Sequence, residues 1–90
     1  MLNQIFISSE DASTFPIHNG IYIHHLESDK FYTIEEGVGT FIWSQMDGSK
    51  NVGQILAETA RLCRCDKENI TDDVLEFIIS LYEAGIIVAI

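Results

Sequence analysis

The side chains able to carry chemistry are few and poorly grouped. His24 and His25 are adjacent. On a strand, successive residues point to opposite faces, so the two cannot easily chelate one ion. His18 stands apart in a polar stretch. Cys63-Arg64-Cys65 offers two thiols separated by a single residue, with no second pair elsewhere. Structural zinc sites space their cysteines by about two to four residues. The expectation is a solvent-facing turn with one partly buried cysteine and no metal. Gly37-Val38-Gly39 precedes a helical segment as a phosphate loop would, but no Gly-Lys-Ser/Thr follows and Glu35-Glu36 would repel phosphate. Acids favour a helix N-terminus, and two glycines there imply a packing constraint. Ser44, Ser49 and Ser80 lack a nucleophile elbow or a histidine nearby in sequence. The Asp-Ser-Leu attachment motif of acyl carriers is absent, and Asp47-Gly48-Ser49-Lys50 does not replace it. The chain is therefore expected not to be an enzyme and to need no cofactor.

What must be positioned, then, is a surface. The 90 residues hold 14 Asp and Glu against 5 Lys and Arg, a net charge of −9, yet 47% are hydrophobic. So apolar a chain needs a core, unlike a disordered acidic tail. At this length, residues 1–90 are read as one domain, without a cleft between two. Duplex binding rests on Lys and Arg neutralising phosphates, so nucleic acid is excluded as a partner. The start, Met1 to Ser9, has no basic n-region and too short an apolar run for a signal peptide. No segment approaches a membrane span of about 18 apolar residues. Two cysteines so close together are no secreted disulfide framework, and a reducing cytoplasm is the expected compartment.

Along the chain, Gln4–Ser8 reads as a short strand and Ser9–Asn19, with the only proline, as a polar connection. Gly20–Leu26 and Lys30–Ile34, joined by Glu27-Ser28-Asp29, form a hairpin of β-branched and aromatic residues. From Glu36 the period becomes helical: Val38, Phe41, Ile42 and Met46 share a face, and Asp47-Gly48 stops the segment. Asn51 and Gln54 form a capping box for a second helix with an inward stripe of Val52, Ile55, Leu56, Thr59 and Leu62. After Cys63–Asp66 a third helix runs to Glu83 or Ala84, and Gly85 is its C-cap. Ile86–Ile90 closes the chain as a short apolar strand or tail. The fold class is α+β. The layout is a small winged helix-turn-helix, an N-terminal β-hairpin or three-stranded sheet followed by three helices.

The third helix carries the most information. Ile70, Val74, Phe77, Ile78 and Leu81 fall on one stripe, the core face. Leu75, Ile79 and Tyr82 fall on a second, so the apolar arc spans about 200°, twice what a surface helix usually buries. Three readings stand open. The second stripe packs on the hairpin or tail, forms a homodimer seam, or lines a groove beside an exposed strand edge such as Phe31–Ile34, where an extended peptide could add. DNA is again disfavoured, because Lys67 is the last basic residue and Glu68, Asp72, Asp73, Glu76 and Glu83 follow it.

Several segments together resemble a known family. Gly39-Thr40-Phe41-Ile42-Trp43-Ser44-Gln45-Met46-Asp47-Gly48, then Asn51-Val52-Gly53-Gln54-Ile55, then Asp73-Val74, Phe77-Ile78, Leu81 and Gly85-Ile86-Ile87 are similar to the PqqD family. Those small winged-helix domains recognise ribosomally made, post-translationally modified peptides. The resemblance is strongest over residues 20–90. It implies a non-catalytic chaperone that binds the leader of a precursor peptide and presents it to a modifying enzyme, often of the radical S-adenosylmethionine type. Pyrroloquinoline quinone biosynthesis is the type case. It further implies that the leader adds as a strand to Phe31, Tyr32, Thr33 and Ile34, with its apolar side chains toward Leu75, Ile79 and Tyr82. A monomer or weak homodimer is expected. The alternative is a structural, dimerising subunit that meets another protein domain through the third helix. Two departures are visible: one extra residue in Ile34-Glu35-Glu36-Gly37, and Cys63-Arg64-Cys65, which matches no feature of the family.

Overall fold

The computed structural model describes residues Met1–Ile90. Strands β1 (Ile5–Ser8), β2 (Ala12–Ile17), β3 (Gly20–His25) and β4 (Lys30–Glu35) precede helix α1 (Val38–Ser44) and strand β5 (Asp47–Asn51). Helices α2 (Val52–Cys63) and α3 (Lys67–Glu83) and strand β6 (Ile87–Ala89) follow. The architecture is α+β, with two three-stranded antiparallel sheets, ordered β2-β3-β4 and β5-β1-β6, and three helices.

The hairpin and all three helices stand where the sequence places them. Three details differ. The polar stretch after Ser9 contains β2, which pairs with β3 from Ala12↔His25 to Ile17↔Gly20. Its Pro16 is tolerated because β2 is an edge strand and a missing N–H there breaks no ladder bond. Asp47–Asn51 stops α1 as expected but is itself a strand, β5, held on β1. Its polar residues give no strand signal, because the pairing is supplied by the partner's backbone. Leu62, expected on the inward stripe of α2, is exposed at 55%, since it falls about 80° round the helix from Val52, at the edge of the stripe, whereas Cys63 of the same turn is half-buried.

Local signals hold the helices in register. Asn51 Oδ1 accepts from the Gln54 N–H and Gln54 Oε1 from the Asn51 N–H, both at 2.8 Å, closing the capping box. At the other end of the fold, Gly85 takes φ +77° and lets the Ile86 N–H reach the Leu81 carbonyl at 3.0 Å, which ends α3 and turns the chain into β6. The Ser49 hydroxyl and amide both donate to Asp47 Oδ1. They hold that carboxyl below its ordinary range.

The core lies where the sheets meet the helices. Ile23 and Ile34 enter it from the first sheet, Phe6 and Ile87 from the second, and Ile55 and Ile78 from α2 and α3. Every residue in that group of six is under about a tenth exposed. No helix is long and apolar enough to cross a membrane.

Candidate peptide-binding edge

The first sheet has two edges, and the hydrogen-bond phase decides which is open. The Leu26 N–H bonds the Asp11 carbonyl at 2.8 Å, and the Glu36 N–H bonds the Asn19 carbonyl at 2.7 Å. In an antiparallel ladder bonded and non-bonded pairs alternate. With the observed register, Lys30, Tyr32 and Ile34 therefore bond to β3. Phe31, Thr33 and Glu35 turn their N–H and C=O groups to the free side of β4, and no turn, loop or cap bond uses them. On β2 the same phase turns Ala12, Thr14 and Pro16 outward. The Ala12 N–H is taken by the Ser9 carbonyl at 3.1 Å, and Pro16 has none to give. One donor remains on β2 against three on β4. The sheet offers β4 as its receptive edge and leaves the other with a single donor.

The side chains of β4 hold that edge in place. Ile34 is buried and Tyr32 packs against the core from the inner face. Phe31 lies on the outer face, stacked on His24 at 4.3 Å between ring centroids and on Tyr22 at 5.4 Å. Thr33 is exposed beside it. The adjacent histidines serve the hairpin from opposite sides. His24 Nε2 pairs with Asp29 Oδ1 at 2.8 Å, and His25 Nδ1 with the Ser28 hydroxyl at 2.7 Å, both in the β3–β4 turn. Cys63 is half-buried, and the exposed Cys65 donates its thiol to the Cys63 carbonyl at 3.4 Å. Of the two glycines only Gly39 is under the expected packing constraint: a Cβ there would stand 3.0 Å from Ile34 Cγ2 and 3.5 Å from Phe77 Cζ, whereas Gly37 has open space and is held by its φ of +134°.

On α3 the two-stripe pattern is real, but the stripes face different neighbours. Val74, Ile78 and Leu81 are buried, and Leu75 is half-buried against them. Ile79 is exposed at 42% and Tyr82 at 53%. The Tyr82 ring stands edge-on to Phe6 of β1, 5.7 Å between centroids. Phe77, about 140° round the helix from Tyr82, is the residue that reaches Gly39 and the Ile34 end of β4. Tyr82 is thus on the β1 side of the helix, and Leu75 and Ile79 share its arc by helical spacing. A helical wheel spaces residues around an axis but does not say which strand each arc meets. Phe77 was legible only as core, because nothing in the sequence marks the seam with β4.

Electrostatics give the site a sign. The ion pair is Lys50–Glu58 at 2.9 Å, and Asp29 is hydrogen-bonded to His24. Asp72, Asp73, Glu76 and Glu83 on α3 and Glu35 and Glu36 at the end of β4 are exposed and have no cationic partner.

Comparison with known proteins bears on the family and the fold. A sequence profile of the PqqD family, described as coenzyme PQQ synthesis protein D, matches residues 21–87. No curated protein matches the chain in sequence. Two solved structures share its fold. TbiB1, in complex with the TbiA(beta) leader peptide, superposes with a TM-score of 0.79 at 18% identity, covering 90% of this chain and 93% of that one. A lasso peptide synthetase B1 complexed with the leader peptide gives 0.72 at 15% identity, covering 92% and 96%. At these identities the likeness is one of fold.

Proposed function

We propose, starting from the finding that the chain belongs to the PqqD family, that it is a non-catalytic adaptor for the leader of a ribosomally made precursor peptide. The peptide adds to β4 as an antiparallel strand and is presented to a modifying enzyme. The radical S-adenosylmethionine type is the candidate, as in pyrroloquinoline quinone biosynthesis or a related pathway. The observation that carries this reading is the open edge itself: the free N–H and C=O groups of Phe31, Thr33 and Glu35, against a β2 edge left with a single donor. The complexes of TbiB1 and the lasso synthetase B1 with leader peptides support it. A micromolar affinity needs about 8 kcal/mol. Several ladder bonds at about 1 kcal/mol each, with two or three buried apolar anchors, are enough.

Titrating isotope-labelled protein with a candidate leader tests the reading. The amides of Phe31, Thr33 and Glu35 should move most and become protected from exchange. Binding that leaves all three unmoved would sink it. The unpaired acids on α3 and at the end of β4 favour leaders with Lys or Arg beside their anchors. The affinity should fall modestly, about threefold to tenfold, between low and physiological salt. A salt-insensitive affinity would leave the charge with solubility alone.

The apolar flank of Leu75, Ile79 and Tyr82 supports a second surface on the same molecule, because Tyr82 meets Phe6 of β1 while Ile79 and Tyr82 stay exposed. There we place the enzyme or another protein domain. Ile79→Asp should leave peptide affinity within about twofold and abolish capture of that partner. If it weakens peptide binding while the fold survives, the flank belongs to the peptide groove instead.

A further inference from the structure

A cavity of about 280 Å³ opens where α1, α2 and α3 meet. Its walls are apolar: Val38 and Ile42 from α1, Ile70, Val74 and Phe77 from α3. Cys63 of α2 closes one side, and Asp73, exposed, stands among the lining residues. Val38 is exposed at 42% and marks the mouth. The cavity is next to the C-terminal end of β4. Val38 and Gly39 follow β4 after the turn Glu36-Gly37, and Gly39 touches both Ile34 of β4 and Phe77. The mouth therefore lies at the C-terminal end of β4.

Strand direction turns this position into a statement about the ligand. A strand running antiparallel to β4 passes the Ile34–Glu35 end with its own N-terminal residues. We propose that the cavity takes one large apolar side chain of the bound peptide, of Leu, Ile, Met or Phe type, located about two or three residues N-terminal to the segment paired with β4. The proposal rests on the β4-addition reading. The lining desolvates a hydrocarbon side chain, and the Asp73 carboxylate repels an acidic one. Gly39 matters here for its missing side chain, since any Cβ would narrow the passage between Ile34 and Phe77.

Peptides selected from a displayed random library on the full chain provide the probe. They should carry a large apolar residue at one fixed spacing before the paired segment. Replacing it by Ala should weaken binding about tenfold to hundredfold, the effect of withholding one such burial. Val38→Trp, which fills the mouth from an exposed position, should weaken it by a similar factor. Cys63 supplies a readout independent of that variant: in a Cys65→Ser chain, its alkylation by N-ethylmaleimide should slow several-fold when peptide is bound. Peptides that move the Phe31, Thr33 and Glu35 amides, tolerate Ala at every earlier position and leave Cys63 equally reactive would overturn the cavity assignment and spare the β4 reading. Selected peptides that bind without moving those amides would overturn both.

Discussion

Thr33→Pro is expected to abolish peptide capture while leaving the protein folded. Thr33 faces its N–H away from β3, so proline there removes no bond of the β3–β4 ladder. It removes the central donor of the open edge and sets a pyrrolidine ring in the path of an arriving strand. A lost ladder bond together with the steric block should weaken binding by about a hundredfold or more. The stability loss should stay near about 1 kcal/mol, because edge strands accept proline, as β2 already does at Pro16. Tyr32→Pro is the opposing case. Its N–H points into the ladder and its ring packs on the core, so the substitution should cost about 3 kcal/mol or more and unfold much of the population. Calorimetric titration and thermal melts separate the two. A Thr33→Pro chain that still binds leader normally would remove β4 from the mechanism.

The second large effect concerns two neighbours on α3. Ile78 is fully buried and Ile79 is 42% exposed. Ile78→Ala leaves a cavity against the core and should cost about 2–5 kcal/mol, a large part of the about 5–15 kcal/mol that holds such a domain together. At about 4–8 °C per kcal/mol the melting temperature should fall by about 8 °C or more. Ile79→Ala should stay within about 0.5 kcal/mol. Urea unfolding of the pair measures the contrast directly. Equal losses would mean that the Leu75–Ile79–Tyr82 flank is structural and serves no partner.

Legibility followed distance along the chain. The Asn51–Gln54 box, the Gly85 cap and the hairpin turn at Glu27–Asp29 are local devices, complete within a few residues, and each was readable as written. Strand β5 was not, because Asp47–Asn51 becomes a strand only through β1, some forty residues upstream. Strand β2 hid behind Pro16, whose acceptability depends on the edge position and hence on the whole sheet. The binding edge was half legible. Phe31–Ile34 was readable as a strand, but which of its amides are free depends on the ladder phase set by Asn19 and Glu36. The helix contribution was legible as an amphipathic arc and not as an address: Tyr82 meets Phe6, and Phe77 meets the β4 side.

The second sheet has a consequence for how cargo is carried. Strand β1 lies between β5 and β6, and the Ile90 N–H bonds the Ile5 carbonyl at 2.9 Å. Ile90 therefore ends beside Ile5, on the sheet that does not hold the receptive edge. A tether attached at Ile90 starts from this second sheet, and its length and stiffness set the effective concentration of its passenger at β4.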